Sequence, residues 1–187
     1  MGLENRVVVI TGATGGLGRV VAHRLAEEGA SLALVSSDSG RLEALGRELS
    51  LPQERWLAHA ADLTNSAAVR VAADAVLAKF GRVDILLHLV GGWMGGKTVP
   101  HVPVEEMGSM LQQHLWTTFY VAQAFVPHLV ANGWGRIMAV SSPTATRPGA
   151  KSAPYAAGKA AQEALFLTLA QELAGSGVTA NLLVVRT

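Results

Sequence analysis

One stretch constrains this chain more than any other: Arg6-Val7-Val8-Val9-Ile10-Thr11-Gly12-Ala13-Thr14-Gly15-Gly16-Leu17-Gly18-Arg19, followed directly by an alanine- and leucine-rich segment over residues 20–28. The β-branched run predicts a buried strand, the glycines a tight turn, and the residues after them a helix. Glycine accepts positive φ and lets a ligand come close to the backbone, while the unpaired N–H groups of a helix start point at whatever sits there. The turn therefore predicts an anion site. Between a buried strand and a helix, the expected anion is a dinucleotide phosphate.

Strand and helix patterns alternate through the rest of the chain. Residues 31–35, 55–60, 83–90, 135–141 and 178–185 predict five further strands. Residues 40–49, 66–80, 104–132 and 152–174 predict helices, the second capped by Ser66 and stopped by Gly81. Pro100 and Pro103 keep the segment before the third irregular, and that helix is expected to kink or break near Gly108. Strands that are apolar throughout are buried on both faces, as in a parallel sheet covered by helices. The expected architecture is α/β: a doubly wound Rossmann-type sheet of order 3-2-1-4-5-6, helices on both faces, and the ligand at the carboxyl ends of the strands.

Composition narrows the function classes. A length of 187 residues predicts one domain spanning the chain. Half the residues are hydrophobic but only 5 % aromatic, so the core is Ala, Val and Leu. A net charge of +1 with no basic run argues against nucleic acid. The absence of cysteine excludes disulfides and thiolate metal sites and fits a reducing cytoplasm, the expected location. The first residues carry no apolar signal core, and no apolar run is long enough to span a bilayer. His23, His59, His88, His101, His114 and His128 show no metal-ligand spacing, so no metal is expected.

Candidate chemistry lies in a few residues. Asp38 stands about 20 positions beyond Gly18, where a dinucleotide fold places an acidic residue for a ribose hydroxyl; it is equally placed to cap the next helix. Tyr155 and Lys159 are four apart and share one helical face. A free phenol, with a pKa near 10, is a poor acid–base catalyst at neutral pH. A cation about 4 Å away in a partly buried site contributes up to roughly 4 kcal/mol, which brings it towards working range.

At these residues the chain resembles the short-chain dehydrogenases/reductases, from Arg6 to its last residue. Thr11-Gly12-Ala13-Thr14-Gly15-Gly16-Leu17-Gly18 is similar to the family's glycine turn. Asp62-Leu63 is similar to its adenine-contacting pair, Gly135-Arg136-Ile137 with Ser141-Ser142 to the strand carrying its serine, and Tyr155-Ala156-Ala157-Gly158-Lys159 to its Tyr-x-x-x-Lys. The resemblance implies hydride transfer between a nicotinamide cofactor and an alcohol or ketone, without metal. Tyr155 is implied as acid/base, Ser142 as the hydrogen bond to the substrate oxygen, and Lys159 as the cation that tunes the phenol and holds a ribose. The implied cofactor contacts are Gly12, Thr14, Gly15, Gly16, Leu17, Gly18, Ser37, Asp38, Asp62, Leu63, Val90, Gly91, Tyr155 and Lys159.

Departures from the family pattern stand beside these matches. His88-Leu89-Val90-Gly91 replaces Asn-Asn-Ala-Gly, which implies that the asparagines' polar contacts are lost or pass to backbone. His114 stands where the family carries an asparagine that holds a water in the proton relay. It is expected either to bind that water, titrating near neutrality, or simply to pack. Val185-Arg186-Thr187 stands where the family continues through Pro-Gly and a threonine, so the family's substrate lid and last strand are expected to be absent. Trp93 and Met94 are read as pocket lining or as a loop anchor, and Asp62 as an adenine contact or a turn cap. Pro143 and Arg147 are further pocket candidates. The positions at which NADP-preferring relatives carry a cation are Gly15 and Ser37, which with Asp38 favours NAD; Arg41 and the serines leave NADP open. The expected partners are a small carbonyl or alcohol substrate and a second copy, in a homodimer or homotetramer through the two long helices 104–132 and 152–174, the first of which carries Trp116 and Phe119, read as interface or core. The alternative function is a cofactor-binding or structural relative, or a shortened fragment, with little turnover.

Overall fold

A computed structural model describes residues 2–185. Six strands form one parallel sheet in the order β3-β2-β1-β4-β5-β6: β1 Val7–Thr11, β2 Ser31–Ser36, β3 Trp56–Ala60, β4 Ile85–His88, β5 Gly135–Ser141 and β6 Val178–Val184. This is the predicted Rossmann-type order. Six α-helices cover the sheet: α1 Gly16–Glu27, α2 Ser39–Glu48, α3 Ser66–Phe80, α4 Val104–Leu111, α5 Thr117–Ala131 and α6 Ala153–Glu172. All five residues of β1 are buried, because strands at the middle of a covered parallel sheet meet helices on both sides. One core layer sets Val9, Leu86, Ile137, Phe125 and Phe166 between the sheet and the side of α3, α5 and α6. The opposite layer joins Val8, Ile10, Leu34, Leu42 and Trp56 under α1 and α2.

Registers bring the strand ends that carry chemistry to one edge. Thr11 pairs with Val35 and with His88, and His88 pairs in turn with Ala139. At the other end Asp84, fully buried, ties β1 to β4. It accepts from Val7 N at 3.0 Å, Arg6 Nη1 at 2.9 Å and Arg82 Nη2 at 2.6 Å. Burial pushes its carboxyl upward, but these donors outweigh burial and hold it below the ordinary carboxylate range.

Three helix expectations are corrected. The cap of α3 is Asn65, whose Oδ1 accepts from Ala67 N and Ala68 N, and Ser66 is the first helical residue. The stop at Gly81, with φ of 72°, is as expected. The long third helix does not break at Gly108. It loosens into a π turn over Gln112–Trp116, where Thr117 N reaches back to Gln112 O. Two threonine hydroxyls bond back to carbonyls of the turn, Thr117 Oγ1 donating to Gln113 O and Thr118 Oγ1 to His114 O, each at 2.6 Å. Trp116 and Phe119 lie on the surface, 43 % and 38 % exposed, and so are not core. Among the described residues no helix is long and apolar enough to cross a membrane.

Candidate active site

The glycine turn closes as its sequence requires. Gly12 has φ of 74°, and Gly15 N donates to Gly12 O at 3.0 Å. A Cβ on Gly18 would fall 2.3 Å from Gly12 O, so only glycine lets α1 start this close to the strand end. A Cβ on Gly16 would stand in open space. The helix start has no side-chain cap and no acidic residue in its first turn, which leaves its N–H groups to a ligand.

A cleft of about 690 Å³ runs along this edge, lined by Gly12, Thr14 and Gly15, by Asp62 and Leu63, and by Val90 and Gly91. Ser36, Ser37 and Arg41 close its far end. Thr14 Oγ1 bonds Ser36 Oγ at 2.7 Å, and Arg41 Nη2 donates to Thr14 O at 2.6 Å. Asp38 is not among the lining residues. Its Oδ1 accepts from Arg41 N at 3.0 Å as the cap of α2, so of the two readings capping is the one its geometry carries. Asp62 caps the turn that follows it and also lines the cleft. Its Oδ1 accepts from Thr64 Oγ1 at 2.7 Å and Thr64 N at 2.9 Å, and these bonds, hydroxyl first, hold its carboxyl below the ordinary value while it lines the cleft.

The cleft opens into a second space of about 460 Å³, lined by Leu17, Trp93, His114, Ser142, Tyr155 and Lys159 among others. Trp93 belongs to both walls and Met94 to the first; Pro143 and Arg147 line neither. Ser142 follows β5 and caps a short turn, its Oγ accepting from Thr144 N at 3.3 Å. Tyr155 and Lys159 project from consecutive turns of α6. Lys159 is only 5 % exposed, and its Nζ donates to Val140 O at 2.7 Å and to Gln162 Oε1 at 3.0 Å. Burial pushes its ammonium down to about 8, partly offset by Glu163.

The two unusual histidines are both fully enclosed. His88 Nδ1 lies 2.8 Å from Thr11 Oγ1 and its Nε2 lies 3.3 Å from Thr117 Oγ1. Because the Thr117 hydroxyl already donates to Gln113 O, Nε2 carries the proton and Nδ1 accepts from Thr11. The imidazole thereby bridges β1, β4 and α5. His114 Nε2 donates to Gly92 O at 3.0 Å, and its ring meets Tyr155 edge-on at 5.5 Å. Its Nδ1 is buried without a hydrogen-bond partner among the described residues. A Cβ on residue 158 would fall 3.0 Å from His114 Cδ2, so Gly158 makes room for the imidazole. Burial, followed by the charge of Lys159, pushes His114 down to about 4, which replaces the expected titration near neutrality with a neutral acceptor.

Sequence reasoning missed Gln162, Thr118 and the full role of Arg41. Gln162 had a signal: it follows Lys159 by three positions on a helix that is otherwise mostly Ala and Leu on that side.

These residues fit a dinucleotide: an unobstructed helix start for phosphates, a long cleft, and a buried ammonium beside a phenol. The family model for short chain dehydrogenase matches residues 6–185. A (2S)-[(R)-hydroxy(phenyl)methyl]succinyl-CoA dehydrogenase subunit of Thauera aromatica is 34 % identical over 181 residues, covering 97 % of this chain and 72 % of that one. The 3-ketoacyl-(acyl-carrier-protein) reductase of Brucella melitensis, solved with NADH, matches with a TM-score of 0.90 at 31 % identity, covering 97 % of this chain and 75 % of that one. An NADPH-bound short-chain oxidoreductase of Pseudomonas aeruginosa PAO1, described as containing an atypical catalytic center, matches with a TM-score of 0.91 at 28 % identity, covering 97 % and 71 %. Matched by the family model over nearly its whole length, with the glycine turn, serine, tyrosine and lysine on one sheet edge, the chain belongs to the short-chain dehydrogenases/reductases.

Proposed function

We propose that this chain is a nicotinamide-dependent oxidoreductase that interconverts an alcohol and a carbonyl compound. The observation that carries the reading is one pocket holding the Ser142 hydroxyl, the Tyr155 phenol and the Lys159 ammonium where it meets the phosphate cleft. A bound nicotinamide supplies or accepts the hydride. Tyr155 gives its phenolic proton to the substrate oxygen in reduction and takes it back in oxidation. Ser142 donates a hydrogen bond to that oxygen as charge develops on it. Lys159 stabilises the phenolate and turns its free N–H towards the cleft. His114, neutral, offers Nδ1 as an acceptor beside the phenol. The test is Tyr155→Phe in a carbonyl-reduction screen with either cofactor. Turnover is expected to fall by roughly 10²–10⁴-fold with cofactor binding unchanged; a variant as active as the parent would overturn the assignment. The imidazole in the asparagine position favours a second reading, a cofactor-binding relative without turnover, which an inactive parent that binds cofactor would support.

The adenosine end favours NADP(H). Asp38 is taken up as a helix cap, and the Arg41 guanidinium lines the cleft with Ser36 and Ser37, a donor set that suits a 2′-phosphate and supports NADP(H) over the NAD favoured by the sequence. Fluorescence titration is expected to give an NADPH dissociation constant about tenfold below that of NADH, one good ion pair's worth. Arg41→Ala should abolish the difference, and equal affinities in the parent would refute it. We also place the chain in the cytoplasm as a homodimer or homotetramer that meets its copies through α5 and α6.

A further inference from the structure

Behind Lys159 lies a chain of buried polar groups that no part of the reaction above requires. Lys159 Nζ donates to Gln162 Oε1 at 3.0 Å, Gln162 Nε2 donates to Thr118 Oγ1 at 3.0 Å, and Thr118 Oγ1 donates to His114 O at 2.6 Å. Gln162 and His114 are 0 % exposed and Thr118 is 2 % exposed. Hydrogen-bond chemistry fixes the direction of every link. An ammonium can only donate, so the amide oxygen must face Lys159. The single proton of the threonine goes to the His114 carbonyl, so the hydroxyl can only accept from the amide nitrogen. The His114 carbonyl takes that proton as the carbonyl four residues earlier in a helix commonly does from a threonine. A buried glutamine amid Ala, Leu and Phe is costly unless all of this is satisfied, and it is.

We propose that Gln162 is a positioning residue of the oxidoreductase site, holding the Lys159 ammonium by one of its N–H groups so that another faces the nicotinamide end of the cleft. The inference rests on the functional reading above and adds the residue that aims its cation. Val140 O takes one proton of the ammonium and Gln162 Oε1 a second. The third is left for the side on which Gly91 lies, where a Cβ would come within 3.9 Å of Nζ. An amide does this where a carboxylate would not serve. It accepts a hydrogen bond without a counter-charge, so the full positive charge remains for the phenol one turn away. The same bond favours the charged form of a lysine that burial disfavours. The other groups facing Lys159 are Tyr155 and Glu163 on its own helix, His114 from the π turn and His88 from β4. Glu163 Oε1 accepts from Ser141 Oγ at 2.5 Å, and burial holds both imidazoles well below their ordinary value. Gln162 is therefore the uncharged side chain that, with the Val140 carbonyl, anchors the ammonium.

The experiment is a pH titration of the full chain carrying ¹³C-labelled lysine, with Lys159→Met to assign the Lys159 Cε signal, on the parent and on Gln162→Leu and Gln162→Glu. Gln162→Leu removes the acceptor and is expected to move the Lys159 midpoint down by about one pH unit. Gln162→Glu adds a carboxylate and is expected to move it up. In the pH profile of carbonyl reduction the alkaline limb should follow in both directions, with kcat falling more than KM rises. A merely structural glutamine would lower stability in both variants but leave the Gln162→Leu midpoint within about 0.2 unit of the parent, and that result would overturn the proposal. If Gln162→Leu does not fold, Gln162→Met, which also lacks the amide acceptor, takes its place with the same downward shift expected. The midpoint is read without substrate, so a parent lacking turnover while the midpoints move as stated would sink the oxidoreductase reading and leave the anchoring of Lys159 standing.

Discussion

At the scale of single residues, the site is built around imidazoles that do not ionise in the ordinary range. Burial, then the charge of Lys159, holds His88 at about 3 and His114 at about 4. The unfolded chain takes up these protons near pH 6.5, whereas the folded chain resists until the lower values are reached. Their stabilising contribution is therefore complete above about pH 6.5 and is lost as pH falls towards 4, at up to about 1.4 kcal/mol per unit for each ring. Thermal unfolding is expected to occur roughly 10 °C lower at pH 5 than at pH 7, and His114→Asn should remove about half of that drop. An unfolding temperature that is flat between these pH values would contradict buried, neutral imidazoles. The residues that the sequence announced are those whose chemistry is local: the glycines of the turn, Ser142, and the Tyr155–Lys159 pair on one helical face. Those it concealed act across the fold. Nothing in the order of residues joins Arg41 to the Thr14 carbonyl, or Gln162 to a threonine in another helix. His88 reads as a departure from a pattern until Thr11 and Thr117 are seen on either side of it.

At the scale of elements, strand order was legible because each strand is a short apolar run punctuated by Gly or Pro, and parallel crossovers leave few ways to order such runs. The π turn was not legible. Apolar spacing continues through residues 110–125, and an extra residue in a helical ladder changes the phase of side chains without changing their composition. The cap of α3 was misplaced by one position for a related reason, since Asn65 and Ser66 are both good caps and only geometry chooses between them. Asp84 shows how the sheet is fastened at the end away from the site. Asp84→Ala removes the acceptor for Val7 N and two guanidinium groups at once, and is expected to cost about 2–3 kcal/mol in denaturant unfolding. Because the folded carboxyl is held below its ordinary value, this stabilisation is present above about pH 4 and lost as pH falls through the folded value. A cost under about 0.5 kcal/mol would mean that the arginines find equivalent partners in water.

At the scale of the whole molecule, α5 and α6 present an exposed apolar flank beside the pocket. Trp116 meets Phe119 edge-on at 6.1 Å and lies tilted against Tyr120 at 5.8 Å, and Leu167 on α6 is 64 % exposed. A flank of this kind is expected to be covered by a second copy. Sedimentation at micromolar concentration should give at least a dimer, and Phe119→Glu with Leu167→Glu should give a monomer that keeps its circular dichroism; a monomeric parent would refute the assembly. The same helix serves that flank and the pocket, with Trp116 outside and His114 inside. The π turn makes this possible, and it has a consequence for how such a pocket can change. Helical phase is a ledger of residue count, so one surplus residue re-aims the five within the turn while Val121, Phe125 and Leu129 keep their places on the sheet. Deleting one residue there should straighten the helix and swing the imidazole away from the phenol, leaving both ends where they are. In this molecule the identity of the group beside the tyrosine is open to revision by insertion and deletion, and not by substitution alone.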